Sequence, residues 1–289
     1  MPESKRPRSF KDALAKSRAL SKKELALLPR AFDIIGDIAI IEIPDELLKK
    51  SKKIGEALLE FYPNVKVVAR KTSAVKGELR TRSLEVVAGE NRTLTEYKEN
   101  GIRLKVDVEK VYFSPRLANE RLRLARLVKP GENVLVLFAG VGPFSILIAK
   151  MQPTTHVVSV ELNPAATPLV LENIRMNKVA GRVEAVEGDA AVVLQEERFQ
   201  KWADRIVMVL PERAHEFLEG ALQAAKPGCT IHLYAFGSVK AGADTYGPSL
   251  KAIEKACSNA GRKFEVLYKG ECGTYAPRIA RLILDFRVR

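Results

Sequence analysis

Short apolar runs alternate with amphipathic segments through the C-terminal part of the chain. The runs are rich in Val, Ile and Leu, and the segments between them repeat apolar residues at helical spacing. The runs predict strands at 133–138, 156–160, 182–186, 204–210, 229–236, 263–269 and 279–288. Helices are predicted between them at 143–151, 164–177, 190–200, 213–226 and 247–260. The pattern therefore predicts an α/β fold with a doubly wound, Rossmann-like sheet, mostly parallel, with one antiparallel strand at its edge.

The N-terminal third has a different pattern. Residues 32–43 predict two short strands joined by a Gly-Asp turn, and an amphipathic helix begins after Pro44. Further strands are expected at 65–70, 82–89 and 102–113. We interpret the chain as three parts: a basic helical arm at 1–30, an α+β module at 31–115 and the Rossmann-like domain at 116–289.

Composition limits the class of protein. The chain has 289 residues, of which 46% are hydrophobic and 29% charged, as in soluble globular proteins. No apolar run reaches the roughly 18 residues of a membrane span, and the N-terminus lacks the apolar core of a secretory signal. The three cysteines form no C-x-x-C pair, which favours reduced thiols and a cytoplasmic protein.

The charge points to a polyanionic partner. Formal net charge is +13, and basic residues concentrate in 1–30 and again between Arg116 and Lys129. A solvated helix face could explain either cluster alone. Together they favour a nucleic-acid partner.

Chemistry-bearing residues follow three successive predicted strands of the domain. Glycines at Gly140 and Gly142 allow close approach of the backbone to a ligand. Glu161 lies 21 residues after Gly140, a spacing typical of an acid that holds a ribose, and Asp189 could reach an adenine amino group. The set indicates an adenosine cofactor, although each acid alone could simply cap a helix.

S-adenosylmethionine fits this loop better than NAD does. A dinucleotide site would have a third glycine, and here Pro143 and Phe144 fill the space of a pyrophosphate. After the fourth strand, Val209, Leu210 and Pro211 could cradle a target base, or could be no more than a strand exit.

Several blocks together resemble the archaeal and eukaryotic tRNA (guanine-37-N1)-methyltransferases, from about residue 32 to the end. They are GELRTR at 77–82, AGENRT at 88–93, DVEKVYFSPRL at 107–117 followed by Glu120-Arg121, FAGVGPF at 138–144, ELNP at 161–164 and YAPR at 275–278. The resemblance implies a Rossmann-like methyltransferase domain with an N-terminal RNA-binding module. It implies methyl transfer from S-adenosylmethionine to N1 of guanosine 37. We expect a monomer that acts on the anticodon region of tRNA.

The resemblance also assigns roles to single residues. Glu120 matches a general base, which N1 of guanine needs because it bears a proton, and Arg80 matches an arginine near O6. Glu120 could instead pair with Arg116 or Arg123 on its own helix, and Arg80 could contact a phosphate. The expected cofactor residues are Phe138, Ala139, Gly140, Gly142, Glu161, Asp189 and Leu210, and the expected substrate residues are Tyr112, Arg116, Val209 and Pro211.

Departures from the family pattern leave alternatives open. Val136 replaces a common Asp, and Val209 replaces a common Asn. The alternatives are methylation of a wyosine intermediate, transfer of an aminocarboxypropyl group from the same cofactor, and a non-catalytic tRNA-binding homologue. A small N-terminal domain of many archaeal relatives has no counterpart here, which predicts weaker dependence on the tRNA elbow. The histidines have no ligand spacing, so no metal is predicted.

Overall fold

A computed structural model describes residues 9–16, 20–29, 32–74 and 77–289. The chain divides into two compact units. The first consists of 1–98 and 105–115, and the second of 99–104 and 116–289.

The described part of the first unit is built around a four-stranded sheet in the order β1-β2-β3-β4. The Gly-Asp turn closes the antiparallel β1–β2 hairpin as predicted, and Gly36 takes a φ of 58° that favours glycine. The elements are α1 (Phe10–Lys16), α2 (Lys22–Leu27), β1 (Asp33–Ile35), β2 (Ile38–Ile41), α3 (Ser51–Phe61), β3 (Val67–Lys71) and β4 (Leu84–Gly89).

The basic N-terminal segment contributes to the core of this unit. Of residues 1–30, the structure describes 9–16 and 20–29, which contain α1 and α2. Phe10, Leu14, Leu20 and Leu28 are buried against the sheet and α3. The described helices α1 and α2 are therefore part of the packed core of the first unit, because apolar residues recur among the charges.

A hairpin of β5 (Leu94–Glu99) and β6 (Ile102–Asp107) is shared between the two units. Its turn has positive φ at Asn100 and Gly101, as a type I′ hairpin turn requires. The strand expected at 102–113 is too long by six residues, since it ends at Asp107. The Asp107 carboxylate accepts the N–H groups of Glu109 and Lys110 at 3.2 Å, which turns the chain.

The second unit confirms the doubly wound prediction. Its seven-stranded sheet has the order β12-β13-β11-β10-β7-β8-β9. The strands are β7 (Asn133–Leu137), β8 (His156–Glu161), β9 (Val183–Glu187), β10 (Ala203–Met208), β11 (Ala225–Ser238), β12 (Phe264–Ala276) and β13 (Ile279–Val288). The helices are α4 (Ala118–Leu127), α5 (Pro143–Met151), α6 (Thr167–Met176), α7 (Ala190–Val193), α8 (Leu218–Ala224) and α9 (Gly247–Asn259).

The antiparallel strand was expected at the edge of the sheet, and this was wrong. Strand β13 is antiparallel to both β11 and β12 and lies between them, so β12 forms the edge. The burial patterns give the reason: β13 is buried along most of its length, whereas β12 is largely exposed. Among the described residues, the helices are all too short or too polar to cross a membrane.

Candidate cofactor site and buried carboxylate network

The loop after β7 has an unusual backbone. Phe138, Gly140 and Gly142 all have φ values between 57° and 79°. At Gly142 an added Cβ would also lie 3.3 Å from the side chain of Ile146. Helix α5 begins directly after this loop, with Pro143 at its first position. The loop therefore turns back tightly on itself beside the start of a helix.

Glu161 at the end of β8 holds this loop. Its Oε2 accepts the N–H of Gly140 at 2.7 Å and its Oε1 accepts the N–H of Asn163 at 2.8 Å. Burial raises the pKa of Glu161, and these backbone donors act in the opposite direction. Each carboxylate oxygen has a second lone pair, so the group can also accept hydrogen bonds from the hydroxyl groups of a ligand.

Asp189, which was expected at the cofactor, and the corner Val209-Leu210-Pro211 lie at the same edge of the sheet. Strands β7, β8, β9 and β10 are parallel, so their carboxyl ends meet there. Asp189 follows β9, and its Oδ1 accepts the N–H of Ala191 at 2.8 Å as the N-cap of α7. Val209, Leu210 and Pro211 follow β10 and are half-buried.

Glu120 is a buried carboxylate in the first turn of α4. Its Oε1 accepts the hydroxyl of Tyr234 at 2.5 Å. Arg123 donates to both carboxylate oxygens at 2.8 Å. The ion pair that the sequence offered as an alternative is therefore present, and its partner is Arg123.

These contacts continue into a polar network of seven side chains, five of them buried and two, Arg123 and Glu132, partly exposed: Tyr234, Glu120, Arg123, Asp285, His232, Arg205 and Glu132. Arg123 donates to Asp285 at 2.8 Å, and Asp285 contacts His232 at 2.7 Å. His232 contacts Arg205 at 2.7 Å, and Arg205 binds Glu132 through two nitrogens. Three carboxylates and two arginines are thus linked through an apolar core, where each charge needs its partner.

The geometry fixes the protonation state of His232. Arginine can only donate, so Nε2 of His232 accepts from Arg205 and Nδ1 donates to Asp285. The ring is therefore neutral. Burial is the main cause that lowers the pKa of His232, and the charges of Arg205 and Arg123 act in the same direction, against that of Asp285. The pKa of Asp285 is lowered by its bonds to His232 and Arg123, against its own burial.

Stability should depend on pH through His232. The unfolded chain takes up a proton at an ordinary histidine pKa near 6.5, and the folded chain only at a lower pH. The contribution of His232 to the free energy of unfolding should therefore be constant above pH 7 and fall as the pH drops below about 6.5. Thermal unfolding between pH 8 and 5 measures this, and a His232→Asn variant should lose part of the slope. An equal slope in both proteins would contradict the assignment.

Tyr234 connects Glu120 to the start of α5. Burial and the charge of Glu120 raise the pKa of Tyr234 well above its ordinary value, so the hydroxyl is a donor. Its ring lies 6.0 Å from that of Phe144, the last residue of the FAGVGPF block. Tyr234 follows Leu233, which pairs with Met208, so it lies level with the carboxyl end of β10. The structure therefore brings Glu120 to the edge of the sheet where the cofactor loop lies.

Arg80 and Tyr112 meet within the first unit. The Arg80 guanidinium lies over the Tyr112 ring, 5.0 Å from its centroid. Arg80 has a φ of 54°, and its N–H bonds to the carbonyl of Gly77 at 3.1 Å. In the second unit, Arg116 is exposed within the short 3₁₀ turn Pro115–Leu117 before α4.

The central part of the network, His232 with Asp285, is not among the residues that the sequence motifs predict. His232 and Asp285 each stand in the middle of an apolar strand, in TIHLYAF and LILDF. A polar residue within a buried run indicates a buried partner, so this signal was available. Their pairing depends on the insertion of β13 beside β11, where His232 faces Asp285 directly.

Comparison with known proteins identifies the family of this chain. Residues 95–267 match the TRM5/TYW2 methyltransferase domain, and residues 10–93 match the TYW2 N-terminal domain. The chain belongs to the TRM5/TYW2 methyltransferase family.

Relatives within this family include both methyltransferases and an aminocarboxypropyltransferase. The chain is 46% identical over 285 residues to the tRNA (guanine(37)-N(1))-methyltransferase Trm5b of Pyrococcus abyssi, covering 99% of this chain and 82% of the relative. It is 34% identical over 272 residues to the tRNA(Phe) (4-demethylwyosine(37)-C(7)) aminocarboxypropyltransferase of Pyrococcus horikoshii, covering 94% of each. Family membership alone therefore does not choose between the two transfers.

Solved structures of relatives have the same fold, as two of them illustrate. The complex of aTrm5 with tRNALeu superposes with a TM-score of 0.84 at 38% identity, covering 97% of this chain and 78% of that one. TYW2 of P. horikoshii in complex with MeSAdo superposes with a TM-score of 0.78 at 32% identity, covering 96% and 97%.

Proposed function

We propose that this TRM5/TYW2 family member transfers a methyl group from S-adenosylmethionine to N1 of guanosine 37 of tRNA. The observation that carries the proposal is the placement of Glu120. A buried carboxylate, oriented by Tyr234 and Arg123, lies at the edge of the sheet that carries the FAGVGPF loop. The most similar relative described above, Trm5b of P. abyssi, supports this choice of reaction.

The residues at the carboxyl edge fit an adenosine cofactor. The turn at 138–142 exposes backbone beside the start of α5, and Glu161 offers acceptors suited to ribose hydroxyls. We assign Phe138, Ala139, Gly140, Gly142, Glu161, Asp189 and Leu210 to this site. When bound, S-adenosylmethionine supplies an electrophilic methyl group on its sulfonium sulfur.

Glu120 is proposed to remove the N1 proton of guanine. N1 is a poor nucleophile until that proton leaves, so a carboxylate within hydrogen-bond reach accelerates the reaction. Arg123 is bound to Asp285 as well as to Glu120. It therefore keeps a partner of opposite charge when Glu120 becomes neutral, which limits the cost of the transfer within a buried site.

The remaining site residues are proposed to bind the target. Negative charge spreads to O6 as the N1 proton is lost, and Arg80 would stabilise it, while Tyr112 would stack on the flipped base. Val209 and Pro211 would contact the base and Arg116 the tRNA backbone. We propose the anticodon region of tRNA as the partner of a monomeric, cytoplasmic enzyme.

Replacing Glu161 with Gln should weaken cofactor binding. An amide presents an NH₂ group to one of two N–H donors, so the loop loses the contact with Gly140 or Asn163. A hydrogen bond to a charged group contributes about 1.5–3 kcal/mol, so we expect Kd for S-adenosylmethionine to rise roughly 10- to 100-fold by calorimetry.

Glu187 provides the matched control, because it pairs with Glu161 in register at the end of the adjacent strand β9. Its carboxylate accepts a hydrogen bond from the Thr167 hydroxyl at the start of α6. The Kd of a Glu187→Gln variant for S-adenosylmethionine should stay within about twofold of the wild type, because substitutions of exposed polar residues usually have small free-energy effects. Equal losses of affinity for S-adenosylmethionine in the two variants would show that Glu161 is not part of the cofactor site.

Aminocarboxypropyl transfer to a wyosine precursor is a second candidate. The match of 10–93 to the TYW2 N-terminal domain favours it. So does the similarity to the P. horikoshii transferase, which covers 94% of this chain and 94% of that protein. A methyltransferase that uses a wyosine intermediate at position 37 is the third.

The test is an assay with S-adenosylmethionine and transcripts that differ only at position 37, read by nucleoside mass spectrometry. N1-methylguanosine from the G37 transcript, and none from the A37 transcript, is the expected result. No product from G37, together with product from a tRNA that carries 4-demethylwyosine, would replace the proposal with one of the alternatives.

A further inference from the structure

The tip of the β12–β13 hairpin carries a fixed and exposed aromatic ring. Tyr275 stacks on Phe236 of β11, with ring centroids 4.1 Å apart and an interplanar angle of 27°. The N–H of Val239 bonds to the carbonyl of Arg278 at 3.0 Å, which ties the tip to the chain after β11. Even so, 49% of the Tyr275 surface is exposed. The ring is thus held in one orientation while much of it faces solvent.

The tip lies at the edge of the sheet that carries the candidate site. Ser238 at the end of β11 pairs with Ile279, so the hairpin turns at the carboxyl end of β11. The Tyr275 hydroxyl lies 3.5 Å from Oε1 of Glu212. Glu212 directly follows Pro211, the last residue of the corner proposed to hold the target base. Tyr275 is therefore next to that corner.

The residues around the ring suit a nucleic acid. Lys240 and Arg278 are exposed on the two chain segments that meet at the tip. The chain as a whole carries a net charge of +13. Aromatic rings beside basic side chains are the usual means by which proteins hold unpaired nucleotides.

We propose that Tyr275 stacks on an unpaired nucleobase of the tRNA, adjacent to the target nucleotide. This inference rests on the proposed function, because it takes the corner at 209–211 as the place of the target base. When a base leaves its stack, its neighbour loses a stacking partner. The exposed face of Tyr275 replaces that partner, and the Phe236 ring behind it keeps the face in position.

The test compares three variants in steady-state methyl transfer and in tRNA binding by fluorescence anisotropy. Stacking of a base on an aromatic ring contributes about 1–3 kcal/mol, so Tyr275→Ala should raise KM and Kd for tRNA about 5- to 100-fold. Tyr275→Phe retains the ring and should stay within about twofold. Leu267→Ala removes a similarly exposed side chain from the same strand and should also have no effect. Affinity for S-adenosylmethionine should not change in any variant.

Three results would overturn the inference. Unchanged tRNA affinity in Tyr275→Ala would show that the ring does not contact RNA, and would leave the face open to a protein partner. Equal losses in Tyr275→Ala and Tyr275→Phe would assign the effect to the hydroxyl and Glu212. Equal losses in Leu267→Ala would indicate a general disturbance of the hairpin. If wild-type protein does not methylate G37, the proposed function fails, and the binding assay still tests the stack by itself.

Discussion

Replacing Glu120 with Gln is expected to lower kcat for methyl transfer about 100- to 10,000-fold, the usual contribution of a general base. The amide has nearly the shape of the carboxylate and can still accept from Arg123 or Tyr234, but it cannot take up the N1 proton. The affinities for tRNA and S-adenosylmethionine should stay close to those of the wild type. Single-turnover kinetics with saturating enzyme measures the effect on the chemical step directly.

Glu132 is the control that separates catalysis from ion pairing. Like Glu120, Glu132 is bound by two nitrogens of one arginine, here Arg205 at the other end of the network. It directly precedes β7 and therefore lies at the opposite, amino-terminal edge of the sheet. Glu132→Gln should destabilise the protein without changing the chemical step. If both variants lose stability and both keep their rate, Glu120 is a structural residue and the ion-pair alternative is correct.

Replacing Asp285 with Ala is expected to cost about 3–5 kcal/mol of unfolding free energy, because it removes one partner from a buried charged cluster. Arg123 would lose its second carboxylate, and the Nδ1–H of His232 would lose its acceptor. A cavity in the core beside β11 would add to the loss. Chemical denaturation of the whole chain measures the change.

Glu184→Ala provides the comparison for this prediction. Glu184 pairs with Arg198 on the surface, where both side chains are substantially exposed. Such pairs contribute about 0–1 kcal/mol, so this variant should stay near the wild type. A similar, small effect for Asp285→Ala would mean that water reaches the network and replaces the lost acceptor.

The fold could be predicted from the sequence because its signals are local. Alternation of apolar runs with helical spacing identified every strand of the large sheet, and the Gly-Asp turn identified the first hairpin. Strand β5 was missed because LTEYKE places charged residues where a strand pattern expects apolar ones, even though the Asn100-Gly101 turn marks a hairpin. The position of β13 could not be predicted from local signals. Either strand of the β12–β13 hairpin could pair with β11, and the more apolar strand, β13, takes the inner position only when the whole sheet assembles.

Part of the candidate site could also be predicted from the sequence, because its signals are local. The loop at 138–142 and Glu161 lie at the ends of adjacent strands, and the N–H of Gly140 donates to the Glu161 carboxylate. The contact between Glu120 and Tyr234 could not be predicted from local sequence, because the two residues are 114 positions apart in the chain. Val136 is fully buried in β7, so an apolar side chain suits its surroundings.

The reaction product tests the central claim most directly. The G37 transcript and, in a parallel reaction, a tRNA that carries 4-demethylwyosine are each incubated with the wild-type protein and S-adenosylmethionine, and both the RNA and the small-molecule products are analysed by mass spectrometry. Methyl transfer forms a bond from N1 to the methyl carbon and leaves S-adenosylhomocysteine, in equal amount to N1-methylguanosine, and this is the result we predict. The account would be contradicted if the G37 transcript gave no N1-methylguanosine while the 4-demethylwyosine tRNA gave methylthioadenosine in place of S-adenosylhomocysteine, since that product shows transfer of the aminocarboxypropyl group.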